Sequence, residues 1–312
     1  MTYSLGSLIE ASDYNGFVGG NGGGANVSGQ LNTVISTGYG NAGYGQSAVS
    51  NVSVAGSVTA TQWSTLVAGV NTIRSHQAAF SNLSLYVSGT TINATTNVST
   101  NLGTAYTNRL AHAATGTVST GANKTLNIVS VNTTSAVTVN QENTATFASA
   151  DQARYFFNAG GELRYIIASS VNPGGTTRGS SLGTLAVSGL GTKVFDGQNA
   201  GARTGTGYTA TTDQTTGAGY FGQTGSYVTR CQITGGDAAY TSDFVRIQTK
   251  TNGAQGSNAD NGTVYYFYLT LNSAAQSPAF NDSIDMTVTY RIDVAAPSTT
   301  YLTASWGAVT IA

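Results

Sequence analysis

From Tyr14 to Ile73 the chain carries no charged side chain, a run of sixty residues. Charged side chains are the ordinary guard against edge-to-edge association, so so long a neutral stretch points to burial, in an oligomer or a larger assembly. The remaining charge is unevenly placed. Residues 1–150 hold six charged residues (Glu10, Asp13, Arg74, Arg109, Lys124 and Glu142), and residues 151–312 hold the other nineteen. The asymmetry reads as a buried assembly half followed by a solvent-facing half.

Charged residues are 8% of the 312, against about 25% in ordinary globular chains. Lysine plus arginine is 12 and the net charge is −1, so there is no basic footprint to neutralise phosphates, and nucleic-acid binding is excluded. With one cysteine and two histidines, neither a four-ligand zinc site nor a disulfide framework is available. No cofactor or metal is expected. The apolar runs are strand-sized, too short to cross a membrane. Met1–Glu10 has no basic or apolar signal region, and Cys231, in an alternating strand, reads as a buried structural thiol. Together these point to synthesis in a reducing cytoplasm and to a protein assembled inside a cell and released by lysis.

The local patterns are legible. Gly19-Gly20-Asn21-Gly22-Gly23-Gly24 reads as a loop or close-approach segment. In Gly38–Gln46, Tyr39 and Tyr44 offer rigid contact area between glycines that let backbones approach. Thr59 and Gln62 have capping-box spacing, and Trp63, Leu66, Val67, Val70 and Ile73 recur at helical intervals, predicting a helix over about 60–77 that Gly69 weakens. Residues 81–148 alternate like strands, as in Leu83–Val87 and Leu126–Val131. Ser149 and Gln152 begin a short helix over 150–158 that Gly160-Gly161 ends, and a strand follows over 162–169. Strands are then expected over 184–187, 227–233, 244–249, 264–271, 284–294 and 301–311, with Asn261-Gly262 as a turn pair. The chain is thus mainly β: short N-terminal helices followed by an antiparallel, jelly-roll-like β-sandwich. Three regions are expected: a docking region 1–80, a β-rich middle domain 81–180 and a C-terminal sandwich 181–312.

Catalytic motifs do not assemble. Gly179-Ser180-Ser181-Leu182-Gly183 matches a nucleophile elbow, but His76 and His112 both precede it and no helix pattern follows, so it reads as a Gly/Ser loop. Gly205-Thr206-Gly207 lacks the flanking strand and helix of a dinucleotide site. Asp282 and Asp285, three apart, face opposite sides of a strand, and Glu142, Asp151 and Glu162 share no motif, so no carboxylate pair is a glycosidase candidate. Asn252, Asn258, Asp260 and Asn261 make an oxygen-rich loop without ordered calcium-loop spacing. His76, at the end of the capped helix, reads as a polar residue holding helix carbonyls, with a subunit contact as the other reading.

Three segments in order carry a resemblance. The first is Leu8-Ile9-Glu10-Ala11-Ser12-Asp13-Tyr14-Asn15. The second is Tyr44-Gly45-Gln46-Ser47, continuing through Val58–Leu66 to His76-Gln77. The third is Asp151–Arg164, in which Arg154, Phe156, Phe157, Asn158, Gly160 and Gly161 form an R-x-FFN-x-GG run. Over about residues 8–170 the chain resembles virion structural proteins of large contractile-tailed phages of cyanobacteria and their relatives. The resemblance implies a non-enzymatic part of the virion, in the tail, baseplate, neck or a fibre. Its expected partners are further copies of itself (a trimer), other virion proteins and host-surface glycans. The assembly interface is expected at Tyr39, Tyr44, Gln46, Trp63, Leu66, Val70 and His76. A bacterial surface adhesin or surface-layer subunit is the alternative, and an enzyme acting on surface polysaccharide is a third class.

Overall fold

The computed structural model describes residues 10–20, 26–87, 95–132, 134–237, 239–253, 259–277 and 282–312. Leu8, Ile9, the run 21–24 and Asn258 lie outside them.

The N-terminal part is a small helical layer of α1 (Ala11–Val18), α2 (Leu31–Ile35), α3 (Ala60–Gln77) and α4 (Thr95–Thr107). Both halves of the predicted capping box form at α3. Thr59 Oγ1 accepts from the Gln62 amide at 3.2 Å, and Gln62 Oε1 accepts from the Thr59 amide at 2.8 Å. Trp63, Leu66, Val67, Val70 and Ile73 are wholly buried on one face of α3. Gly69 has a packing reason: a Cβ there would sit 2.7 Å from the Leu31 side chain, so its absence lets α2 press against α3. Helix α4 departs from the strand expected over this region. Its Thr- and Val-rich composition suggests β structure, but Val98, Leu102 and Ala105 follow helical spacing and are all buried, so burial periodicity prevails over propensity.

Polar contacts within the neutral stretch are made by amides and hydroxyls. Asn15 donates to the Val52 carbonyl and accepts from the Val52 amide, both at 2.8 Å. Asn32 does the same with Val49, at 2.9 Å in each direction. Asn71 does so with Leu83 at 2.9 and 2.8 Å, and Ser64 Oγ with Tyr86 at 2.5 and 3.0 Å. Each side chain stands in for a neighbouring strand. Leu83–Val87 is therefore an extended segment pinned along α3, not the expected strand.

Two antiparallel sheets follow. The strands of the first are β1 (Thr115–Ser119), β2 (Lys124–Asn132), β4 (Glu162–Val171), β5 (Thr192–Phe195) and β10 (Ser283–Pro297), in the order β1-β10-β4-β5, with β2 also on β10. The second holds β3 (Val137–Phe147), β6 (Thr209–Asp213), β7 (Val228–Thr234), β8 (Phe244–Thr251), β9 (Val264–Ser273) and β11 (Val309–Ile311), in the order β11-β3-β9-β8-β7-β6. Tyr165 on β4 meets Phe267 on β9 at 5.6 Å between ring centroids, and Phe195 on β5 meets Phe267 at 5.3 Å. The inner faces thus pack as a sandwich, as expected for this mainly β chain.

A boundary at residue 180 does not separate these sheets. β10 pairs with β2 and β4, and β3 pairs with β9, so strands from both sides of residue 180 build one sandwich. Residues 177–190 also differ from expectation. α6 (Thr177–Thr184), capped by Thr176, runs into a π-helical turn over Leu185–Leu190, where a loop and a short strand were predicted. Leu182, Leu185, Ala186 and Leu190 recur at helical intervals and are all wholly buried, which decides the matter. Ser180 consequently lies within a helix and not on a strand-to-helix elbow. Of the strand expected over 301–311, the structure forms only Val309–Ile311, because Leu302 and Trp306 are buried as a folded-back loop.

The charge of the second half does not all lie at the surface, although most of it keeps access to solvent. Seven of its nineteen charged residues are buried: Arg154, Arg178, Lys193, Arg230, Asp243, Asp260 and Asp293. Buried cations are held largely by carbonyls. Lys193 Nζ donates to the carbonyls of Gly201 at 2.8 Å and Gln214 at 3.0 Å and pairs with Asp213 at 2.6 Å. Among the described residues only Glu10, Glu142 and Asp237 are exposed charged residues.

Candidate functional site: a glycine-tyrosine junction

Helix α5 (Ala150–Asn158) sits where the helical layer meets the sandwich. Ser149 Oγ caps it, accepting from the Gln152 amide at 3.1 Å as predicted. Its two sides grip different parts of the molecule. Phe156 and Phe157 enter the sandwich core, their rings 5.3 and 5.6 Å from that of Phe147. Phe157 also stacks on Tyr220 at 4.6 Å with 15° between planes. On the other side Arg154, wholly buried, donates from Nη1 to the Ala42 carbonyl at 2.7 Å and from Nη2 to Asp151 at 3.2 Å. Asn158 Nδ2 donates to the carbonyls of Gly40 at 3.2 Å and Gly43 at 3.1 Å.

The 38–46 loop received by Arg154 and Asn158 is bound on its other side by the helices. Tyr44 Oη donates to the Arg109 carbonyl at 2.9 Å and accepts from Gln77 Nε2 at 3.1 Å. The His76 ring meets the Tyr44 ring edge-on at 5.1 Å. Gln46 reaches the C-terminal loop, accepting from the Thr303 amide at 2.8 Å and donating to the Thr303 carbonyl at 2.9 Å. Gly160, at φ +89°, is needed twice over: L side chains avoid that conformation, and a Cβ would lie 2.5 Å from His112 Nδ1. Gly161 lies against the Phe156 ring.

The second and third resemblance segments therefore meet in space, through Tyr44, Gln46 and His76 on one side and Arg154, Phe156, Phe157, Asn158, Gly160 and Gly161 on the other. Trp63, Leu66 and Val70 stand apart, in the helical core, where Trp63 packs against Phe17 at 5.9 Å and Tyr14 at 6.3 Å. Of the seven residues expected at a subunit interface, Tyr44, Trp63, Leu66, Val70 and His76 are buried inside their own chain. Only Tyr39 and Gln46 keep accessible surface. The five buried ones are accounted for by the fold of the single chain.

Arg109 and His112 belong to the junction but were not singled out. Arg109 donates from Nε to the Asn41 carbonyl at 3.0 Å and from Nη2 to Asn41 Oδ1 at 3.1 Å, completing the clamp. The signal was its rarity, as one of six charged residues in the first 150.

The carboxylates considered singly have separate partners: Tyr227 on Glu142, Arg154 on Asp151, Arg164 on Glu162 and Tyr240 on Asp282. Among the described residues no three or more His, Cys, Asp or Glu side chains gather to hold a metal ion. In the oxygen-rich loop, Asn261 Nδ2 is turned inward to the carbonyls of Tyr220 at 2.6 Å and Gln223 at 2.8 Å. Cys231 is buried as expected, and burial pushes its thiol up to about 11.

Two buried groups titrate in opposite senses. Burial, then the neighbouring His112, lowers His76 to about 4, against an upward pull from a backbone hydrogen bond to Ala159. The unfolded chain therefore binds this proton first, and stability is lost as pH falls from about 6.5 to 4, by about 3 kcal/mol for this group. Asp243, raised to about 6 chiefly by burial, does the reverse, and its penalty is relieved over nearly the same interval. The two contributions therefore oppose each other in the intact protein. In His76→Gln the opposing term is gone, so the variant should gain stability on acidification from pH 6.5 to 4, and Asp243→Asn should lose it. Urea unfolding at the two pH values checks both signs.

No family model, curated protein or solved structure matches the chain.

Proposed function

We propose that the chain is a non-enzymatic structural subunit of a phage virion, a homo-oligomeric part of the tail, baseplate or neck that docks through its N-terminal half. The observation that carries this reading is the distribution of surface chemistry. Of the seven large hydrophobic residues exposed among the described residues, Val27, Val54, Leu85, Val87 and Val118 lie before residue 120, Val54 being 94% exposed. The same half offers only Glu10 and Glu142 as exposed charged residues. Apolar side chains on an almost uncharged surface favour association. The ordered resemblance over residues 8–170 supplies the virion context. These exposed valines and Leu85, rather than the buried Trp63 and Leu66, are the contacts this reading assigns to docking.

Antibodies against the purified chain, applied to gradient-purified particles with gold detection, test the proposal. Labelling at one position along the tail or neck is expected. Unlabelled particles, with the chain instead recovered from washed uninfected cells, would favour the surface-adhesin reading.

A further inference from the structure

The outer face of the second sheet carries an aromatic cluster that its partner sheet lacks. On β9 the inward residues Tyr265, Phe267 and Leu269 are wholly buried, and Tyr266 and Tyr268 alternate with them toward solvent. Strand register sets Tyr268 between Glu142 on β3 and Gln248 on β8, and Tyr266 opposite Lys250 on β8. Tyr227, just before β7, adds a third ring 5.1 Å from Tyr268, and its hydroxyl donates to Glu142. Lys250 Nζ lies over two of these rings, 4.4 Å from the Tyr227 centroid and 4.7 Å from that of Tyr266. On the other sheet, the outward positions of β10, β4 and β5 are Ser, Thr, Asp, Glu, Arg, Ile, Val and Ala, with no aromatic residue among those described.

Cross-strand tyrosines do stabilise a ladder. That role does not require a lysine held between two of them, or a second cation four residues along on the same face. Arg246 is that cation, and its buried Nε has no hydrogen-bond partner. The face thus presents two cations against one carboxylate, Glu142, which already accepts from Tyr227.

We propose that this face binds an acidic polysaccharide, a chain of pyranose rings bearing carboxylates. The apolar C–H faces of the sugars lie against the tyrosines. The sugar carboxylates pair with Lys250 and Arg246, and the free acceptor capacity of Glu142 takes sugar hydroxyls. Lys250 is held in place by two rings before any ligand arrives, which reduces the ordering cost of binding. The inference rests on the sandwich being an accessible part of the proposed virion subunit.

Calorimetric titration of the full chain with hexamers of galacturonate and mannuronate, and with maltohexaose as the neutral arm, tests it. An acidic hexamer should bind, more weakly as salt rises. Lys250→Gln should raise Kd by about tenfold or more without moving the unfolding midpoint. Tyr266→Ala should weaken binding to a similar extent, and a circular-dichroism spectrum unchanged from the parent confirms that it folds. Absence of binding by both acidic hexamers, equal binding of maltohexaose, or an unaltered Kd in Lys250→Gln would overturn the proposal. Lack of glycan binding alongside gold-labelled particles removes only this inference. Intact binding with unlabelled particles removes the virion assignment instead.

Discussion

Phe157→Ala should destabilise the protein by about 3–5 kcal/mol, which at this chain length is a fall in Tm of about 5–8 °C. Phe157 is 2% exposed and stands at the centre of an aromatic group contributed by four parts of the chain. It touches Phe147 on β3 and Phe156 on its own helix, stacks on Tyr220 and reaches Tyr265 on β9 at 6.2 Å. Truncation removes the ring's burial and leaves a cavity that rigid neighbours fill poorly. The effect should also have a definite local signature. Tyr220 Oη donates to the Gly262 carbonyl at 2.5 Å and accepts from the Asn261 amide at 3.1 Å, so loss of its stacking partner loosens this turn. Hydrogen exchange at Asn261 and Gly262 should accelerate more than at Val245 or Ile247 in the middle of β8. Uniform acceleration would show that Phe157 acts on the sandwich as a whole.

Arg154→Ala should cost about 4 kcal/mol, for a different reason. The guanidinium is wholly buried and supplies the donor to the Ala42 carbonyl, on a residue that is itself wholly buried. Removing it leaves that carbonyl unmatched, opens a cavity and releases one anchor of the 38–46 loop. Asp151, the other partner, is 46% exposed, so water replaces much of what it supplies and Asp151→Ala should cost less than Arg154→Ala. The pair of variants separates loop anchoring from the ion pair. Chymotrypsin cleavage after Tyr39 and Tyr44, slow in the parent chain, should become rapid in Arg154→Ala and stay slow in Asp151→Ala. Equal protection in all three would mean that Asn158 and Arg109 hold the loop unaided.

Much of the architecture was legible because local chemistry and burial agree. The caps at Thr59 and Ser149 announce their helices, the Gly160-Gly161 stop ends α5, and alternation marks β8 throughout and most of β9 and β10. Elements were misread where the two disagree. Threonine and valine are strand-prone, yet in α4 the spacing of Val98, Leu102 and Ala105 decides for helix. Glycine and serine conceal α6, whose apolar residues continue into the π-helical turn. The link between middle and C-terminal regions was invisible because the pairing of β10 with β2 and β4 joins residues more than 100 positions apart.

The junction was half legible. The R-x-FFN-x-GG run was recognisable as a unit, and the glycines around Tyr39 and Tyr44 signalled close backbone approach. That the two segments bind each other is a fact of tertiary structure, made by Arg154 and Asn158 donating to backbone carbonyls that carry no side-chain signature. The same applies to the neutral stretch. Its lack of charge suggested a partner chain, whereas Asn15, Asn32, Asn71 and Ser64 show how uncharged side chains pair the irregular backbone within the chain itself. The docking proposed for this half falls instead to the outer surface, where Val54, Leu85 and Val87 stand exposed.

The most direct test of the virion assignment is a cryo-EM reconstruction of the intact particle. The proposal predicts symmetry-related copies of the two-sheet sandwich in the tail, baseplate or neck, with the helical layer of α1–α4 against neighbouring subunits and the Tyr266–Tyr268 face toward solvent. A particle map fully accounted for by other chains would contradict it.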